Sequence, residues 1–189
     1  MSDFDHLGTH GGHIEIVTYD PSWPLFYERE AERIRQACAG FIMAIEHISS
    51  TSVPGLSAKP ILDIMPGVAA HADGARTIEP LTRLGYVYSG ENGIPGRYYF
   101  DLRHQERTVV HVHLFEIGTE NWLRHLLFRD YLRAHPDVAA QYAALKRDLA
   151  LRFRHERAAY TDAKSEFINT VVTRARSERQ ILSLGGVIG

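Results

Sequence analysis

The chain has 189 residues, 44% of them apolar and 23% charged, which is the make-up of an ordinary folded chain of one domain. Lys and Arg total 21 against 23 Asp and Glu, a net charge of -2, which disfavours nucleic-acid binding driven by bulk charge. The single cysteine, Cys38, excludes an internal disulfide and a cysteine-rich zinc site, and no apolar run reaches the roughly 18 residues of a membrane helix.

In chain order, residues 1–12 read as a loose, flexible leader, polar and containing Gly8, Gly11 and Gly12. The leader lacks the basic start and apolar stretch of a secretory signal, so a cytoplasmic location is the simplest expectation. Residues 13–19 alternate as a strand. Asp20-Pro21 is a helix start, and the helix that follows buries Trp23, Phe26, Tyr27, Ile34, Ala37 and Cys38 before Gly40 ends it. Residues 41–48 form a second strand, 49–59 a hydroxyl-rich loop and 60–68 a strongly apolar strand. Asp73 is a candidate cap for a helix reaching Leu84. A short strand at 86–88 and a glycine-rich loop at 89–96 precede two strands, 97–103 and 108–117. Helices are expected over 119–134, 137–153 and 161–182. The order is α+β: a mixed sheet flanked by helices over 13–118, a helical part over 119–182, and a tail at 183–189.

Four groups of residues carry chemistry. Ser49-Ser50-Thr51-Ser52 places four hydroxyls in one turn, suited to phosphate or carboxylate oxygens, with Lys59 supplying charge nearby. The same hydroxyls also suit a solvated turn that holds nothing. Asp63 sits in the apolar run Ile61-Leu62-Asp63-Ile64-Met65, where an unpaired carboxylate is costly and calls for a partner or a cation. His111 and His113 fall on one face of a strand, with Cα atoms roughly 6.5–7 Å apart, and Val110, Val112 and Leu114 fill the other face. That spacing fits two metal ligands, one ligand and one acid–base group, or a structural pair. Arg129 and Arg133, then Tyr142 and Lys146, lie at i, i+4, followed by Tyr160 and Lys164. These cations suit the far end of an anionic ligand or a salt-bridged surface.

Together these stretches resemble the GrpB family, a branch of the nucleotidyltransferase-like superfamily. The resemblance lies in Tyr19-Asp20-Pro21-Ser22-Trp23-Pro24, in His47 through Ile64, in His111-Val112-His113, and in Phe128-Arg129-Asp130-Tyr131-Leu132-Arg133 continuing to Tyr142 and Lys146. It implies a DNA-polymerase-β-like fold, a turn at 49–52 where relatives place triphosphate, and Asp63 at the first metal-binding acid. Three places depart from the superfamily, one being the later strand, where the His111/His113 pair stands in place of the usual acid. Ser49 stands where glycine usually opens the turn. Met65 stands two residues beyond Asp63, where nucleotidyl transfer needs a second carboxylate for Mg²⁺.

The expected activity is a metal-dependent enzyme on a small anionic or nucleotide-like substrate. Asp63, His111 and His113 serve as catalytic residues and metal ligands, and Ser50, Thr51, Ser52, Lys59, Arg129, Lys146 and Lys164 bind substrate. An Asp/His/His set favours Zn²⁺, Mn²⁺, Fe²⁺ or Ni²⁺, with Mg²⁺ allowed. Nucleotidyl transfer or a diverged cyclisation, hydrolysis or ligation fits the set. A non-catalytic nucleotide or phosphometabolite binding module is the alternative, and a partner surface on the basic 146–157 stretch is a third reading. The expected partners are small molecules or nucleotides, with no membrane.

Overall fold

Five strands are paired in the order β1-β2-β5-β4-β3, and they set every other element. They are β1 (Ile42–Ile48), β2 (Leu62–Val68), β3 (Val87–Tyr88), β4 (Tyr98–His104) and β5 (Arg107–Glu116). β2 and β5 are parallel and all other neighbours antiparallel, so the sheet is mixed. The computed structural model describes residues 3–9 and 13–185. The fold is the expected α+β one, and each of these strands lies within two residues of its place in the sequence reading.

Alternation divides the sheet into two faces. Leu62, Ile64, Val110, Val112 and Leu114 are fully buried and pack with Trp23, Ala31 and Ile34 of helix α1 (Trp23–Ala37) and with Leu81 of α3 (Ile78–Arg83). The opposite face carries Asp63, Met65, His111, His113 and Phe115. Met65 and Phe115 close into a core with Ile48 and with Trp122 of α4 (Glu120–Ala134). That face is therefore apolar at one end and ionisable at the other. The helical part comprises α4, α5 (Pro136–Arg152), α6 (Arg157–Asp162) and α7 (Ser165–Gly185). α4, α5 and α7 enclose their own apolar cluster, into which Val53 and Leu56 of the hydroxyl-rich loop insert.

Several local expectations are corrected. Residues 13–19 join no strand: Val17 makes a single bridge to Ala58, and Ile14 turns into a cluster with Leu149, Ala150 and Tyr160. The first helix starts at Trp23, with Pro24 in its first turn, because Asp20 Oδ1 accepts from the Ser22 N–H and hydroxyl rather than capping at Pro21. The 73–84 helix is broken into α2 (His71–Gly74), a 3₁₀ turn at Ala75–Thr77 and α3. Thr77 Oγ1 donates to the Gly74 carbonyl there, and Pro80 brings no N–H. The 161–182 helix is two helices with Ala163 and Lys164 between them, and the second runs to Gly185.

Of the leader, residues 3–9 are ordered against the sheet. Asp3–His6 is a 3₁₀ turn, Leu7 is fully buried, the Gly8 N–H donates to the Pro60 carbonyl, and Thr9 bridges Thr108. Residues 1, 2 and 10–12 of the leader, and 186–189 of the expected tail, lie outside the described residues. Among the described residues no helix is long and apolar enough to cross a membrane.

Candidate functional site

Asp63 on β2 lies in register with His111 on β5, so the parallel pairing alone puts the carboxylate beside both imidazoles. Asp63 Oδ1 is 3.1 Å from His111 Nδ1 and 3.1 Å from His113 Nε2. Burial pushes the Asp63 carboxyl up, but the hydrogen bonds from His111 and His113 outweigh it and hold Asp63 well below the ordinary range. Burial likewise pushes His111 down against the opposing pull of Asp63. The three ligand atoms lie within 4.8 Å of one another. An Asp/His/His set that close fits Zn²⁺, Mn²⁺, Fe²⁺ or Ni²⁺ by donor chemistry better than Mg²⁺, which prefers oxygen.

The trio floors a cavity of about 630 Å³ between the sheet and helices α5 and α6. One wall is the turn after β1, with Ser49, Ser50 and Thr51; the opposite wall is Arg97 and Tyr99 of the β3–β4 region; the roof is Tyr142 and Lys146 of α5, Arg157 and Tyr160 of α6, and Lys164. Lys59 lies at one side. Five cations (Lys59, Arg97, Lys146, Arg157, Lys164) thus face two carboxylates, Asp63 and Asp162. Lys146 Nζ donates to Ser50 Oγ at 2.9 Å and to the Ser57 carbonyl, which ties helix α5 to the turn. Burial, helped by neighbouring cations, pushes Lys146 and Lys164 down to about 7, and Lys59 is lowered by burial and Arg157. Crowded, desolvated ammonium groups of this kind are relieved by an anion.

Most of the residues singled out in the sequence meet here: Ser50, Thr51, Lys59, Asp63, His111, His113, Lys146 and Lys164. Ser52 and Arg129 do not line the cavity. Ser52 Oγ turns back to the Ser49 carbonyl, and the Ser52 carbonyl accepts from Arg133 Nε and Nη2 at 3.0 and 2.8 Å. Arg129 reaches Glu46 Oε2 at 2.6 Å, the His47 carbonyl at 3.0 Å and Asp130 Oδ1 at 2.7 Å. Both serve the turn's architecture. Thr51 is in the wall, but its hydroxyl is held by His47 Nε2 at 3.0 Å, and His47 stacks on Tyr27 with centroids 4.5 Å apart. Burial is the main force that drives His47 down to about 3, so it is uncharged.

Arg97, Tyr99 and Arg157 escaped the sequence reading as site residues. Alternation held the signal for the first two: Tyr99 pairs with His113 across β4 and β5, so Arg97 and Tyr99 share the histidine face. Arg157 looked like one of many exposed cations, and only the packing of α6 brings it to His111.

A family model described as GrpB protein matches residues 13–174. The chain belongs to the GrpB family. It is 41% identical over 163 residues to the UPF0157 protein YqkA of Bacillus subtilis, covering 86% of this chain and 47% of YqkA, so it spans about half the length of that relative. The crystal structure of the conserved protein GrpB from Enterococcus faecalis superposes with a TM-score of 0.81 at 34% identity, over 88% of this chain and 99% of that one. The Cid1 poly(U) polymerase gives a TM-score of 0.50 at 12% identity, over 72% of this chain and 44% of Cid1. That likeness is one of fold, and it is the nucleotidyltransferase-like fold that the motifs implied.

Proposed function

We propose that this chain binds a small phosphate-bearing, nucleotide-like molecule in the cavity above Asp63 and acts on it with a divalent metal ion. The observation that carries the reading is the convergence of five cations and the Ser50–Thr51 turn on one cavity. Its volume of about 630 Å³ lies within the range of small-molecule sites. Lys146, held at Ser50, and Lys164, between α6 and α7, place positive charge on the phosphate side, while Tyr99, Tyr142 and Tyr160 offer flat walls. Asp63 and an imidazole beside it, of His111 or His113, are the groups that would hold the metal, which when bound supplies charge to polarise a phosphate oxygen.

A specific feature favours a second reading, a binding module without catalysis. Met65, on the same strand face as Asp63, is completely buried with Ile48, Phe115 and Trp122. No carboxylate fits there, so the two-acid metal arrangement of nucleotidyl transfer is absent from this strand. A reaction in this cavity would run with a nitrogen-bearing metal set.

Calorimetric titration tests the binding. Sulfate, which does not itself titrate, and a nucleoside triphosphate are each expected to bind the wild type. Lys164→Ala should weaken both about tenfold, the equivalent of one charge-assisted hydrogen bond. Lys146 and Lys164 sit near 7 in the free protein, and an anion raises the pKa of a lysine it contacts. Binding therefore takes up protons, is tightest below pH 7, and weakens as the pH rises towards 9. Affinity that ignores both pH and Lys164 overturns the reading. Binding of the triphosphate with no turnover under any metal favours the module.

A further inference from the structure

We propose that Arg157 is a ligand-operated switch on the proton position of His111: an anion entering the cavity opens His111 Nδ1 to a divalent cation, while His113 remains a hydrogen-bond donor. This rests on the anion- and metal-binding reading above and decides which imidazole can serve it.

The argument begins at the outer nitrogens. Arg157 Nη2 is 3.1 Å from His111 Nε2, and Arg97 Nη1 is 3.1 Å from His113 Nδ1. A guanidinium only donates, and a neutral imidazole has one lone pair and one N–H. Each outer nitrogen therefore holds the lone pair, and the hydrogens point inward. His111 Nδ1–H and His113 Nε2–H both donate to Asp63 Oδ1. A metal-ligating histidine needs the reverse, a lone pair towards the ion and the far N–H given to an acceptor. With both arginines in place neither nitrogen beside Asp63 can bind a cation.

The two arginines are held differently. Arg97 is only 5% exposed, and its Nε and Nη2 donate to the Glu91 carbonyl at 3.1 Å and the Asn92 carbonyl at 2.6 Å. Its guanidinium also lies over the Tyr99 ring, 4.7 Å from the centroid. It is built in, and it keeps His113 as a donor that orients the carboxylate. Arg157 is exposed at the first position of α6, and it borders both the main cavity and an adjoining one of about 210 Å³. An anionic oxygen is a stronger acceptor for it than a neutral imidazole nitrogen. Once Arg157 turns to an anion, the hydrogen of His111 can sit on Nε2, and Nδ1 stands free beside Asp63. His111 gains and loses no proton overall.

The test uses the full chain labelled with ¹⁵N-histidine, long-range ¹H–¹⁵N correlation to read each tautomer, and Zn²⁺ and sulfate as probes. Without ligand, His111 should be the Nδ1–H form and His113 the Nε2–H form. Sulfate should raise Zn²⁺ affinity at least tenfold, and Zn²⁺ should then shift the nitrogens of His111 but leave the tautomer of His113 unchanged. Arg157→Leu, a change at an exposed side chain, should bind Zn²⁺ without sulfate as tightly as the wild type does with it. An Nε2–H form of His111 in the free protein, equal Zn²⁺ affinity with and without sulfate, or metal shifts on both imidazoles overturns the switch and leaves the metal site standing. No Zn²⁺ binding by either protein with sulfate present overturns the metal reading and the switch with it.

Discussion

Ser49 has φ 63° and ψ -162°, a region that side-chain-bearing residues occupy only under strain of about 1–3 kcal/mol. Two bonds to its carbonyl, from the Ser52 N–H at 3.3 Å and the Ser52 hydroxyl at 2.5 Å, hold the turn in that shape. The sequence already marked this position as one where the wider superfamily places glycine, and the backbone shows why. Ser49→Gly should therefore stabilise the fold by about 1 kcal/mol, the relieved strain less the entropy of a freer unfolded chain. A urea midpoint that rises with an unchanged slope would show it, and a fall would mean that the Ser49 side chain carries more than the strain costs. At the same scale, Asp63, His111 and His113 were readable from their own strands. An apolar run seldom tolerates a carboxylate without a partner, and two histidines at period 2 share one strand face. Their hydrogen bonds to one another were not readable, since those depend on which strands are neighbours.

Elements decide what the arginines do. Helix α4 presents Arg129 and Arg133 on one side, as their i, i+4 spacing requires, but that side meets the β1 end and the turn instead of the cavity. Arg129 joins Glu46 and the His47 carbonyl, and Arg133 joins the Ser52 carbonyl, so α4 clamps the turn from behind. Arg129 is 9% exposed, and removing it takes a donor from the buried His47 carbonyl and the charge partner from the half-buried Glu46 carboxylate. Arg129→Ala should cost about 2–3 kcal/mol in chemical denaturation and weaken sulfate binding through the displaced turn. Unchanged stability would contradict the clamp. The break between α6 and α7 works in the opposite direction: it puts Lys164 at the cavity, while the packing of α6 sets Arg157 beside His111. A continuous helix over 161–182, which the periodicity suggested, hides the placement of Lys164, because Ala163 and Lys164 carry no strong break signal.

Across the whole molecule, residues 3–9 matter more than their composition implies. Leu7 is fully buried in the main core beside Leu62, Val109 and Val110. Residues 3–9 pack close to where Lys59 and Pro60 lead into β2, the strand that carries Asp63. Leu7→Ala should cost about 3 kcal/mol by transfer and cavity terms. A loss below about 0.5 kcal/mol in urea unfolding, the size expected of a surface change, would return the segment to the role of a loose leader.

By itself the sequence determined the five strands of the sheet and the α+β order, because periodicity is a local signal, and its motifs carried the resemblance to the family. It also singled out side chains of the kinds that suit an anion or a metal, because hydroxyl clusters and a charge among apolar neighbours are local signals too. The tertiary structure decided the rest. The β2–β5 register sets Asp63 between two imidazoles, the packing of α5 and α6 over the sheet gathers the cations, and Met65 is revealed as core. It also separates Arg129 and Ser52 from the cavity and adds Arg97 and Arg157 to it. The physical reason is common to all of these: a side chain's role follows from the groups that surround it, and those come from segments far apart in the chain.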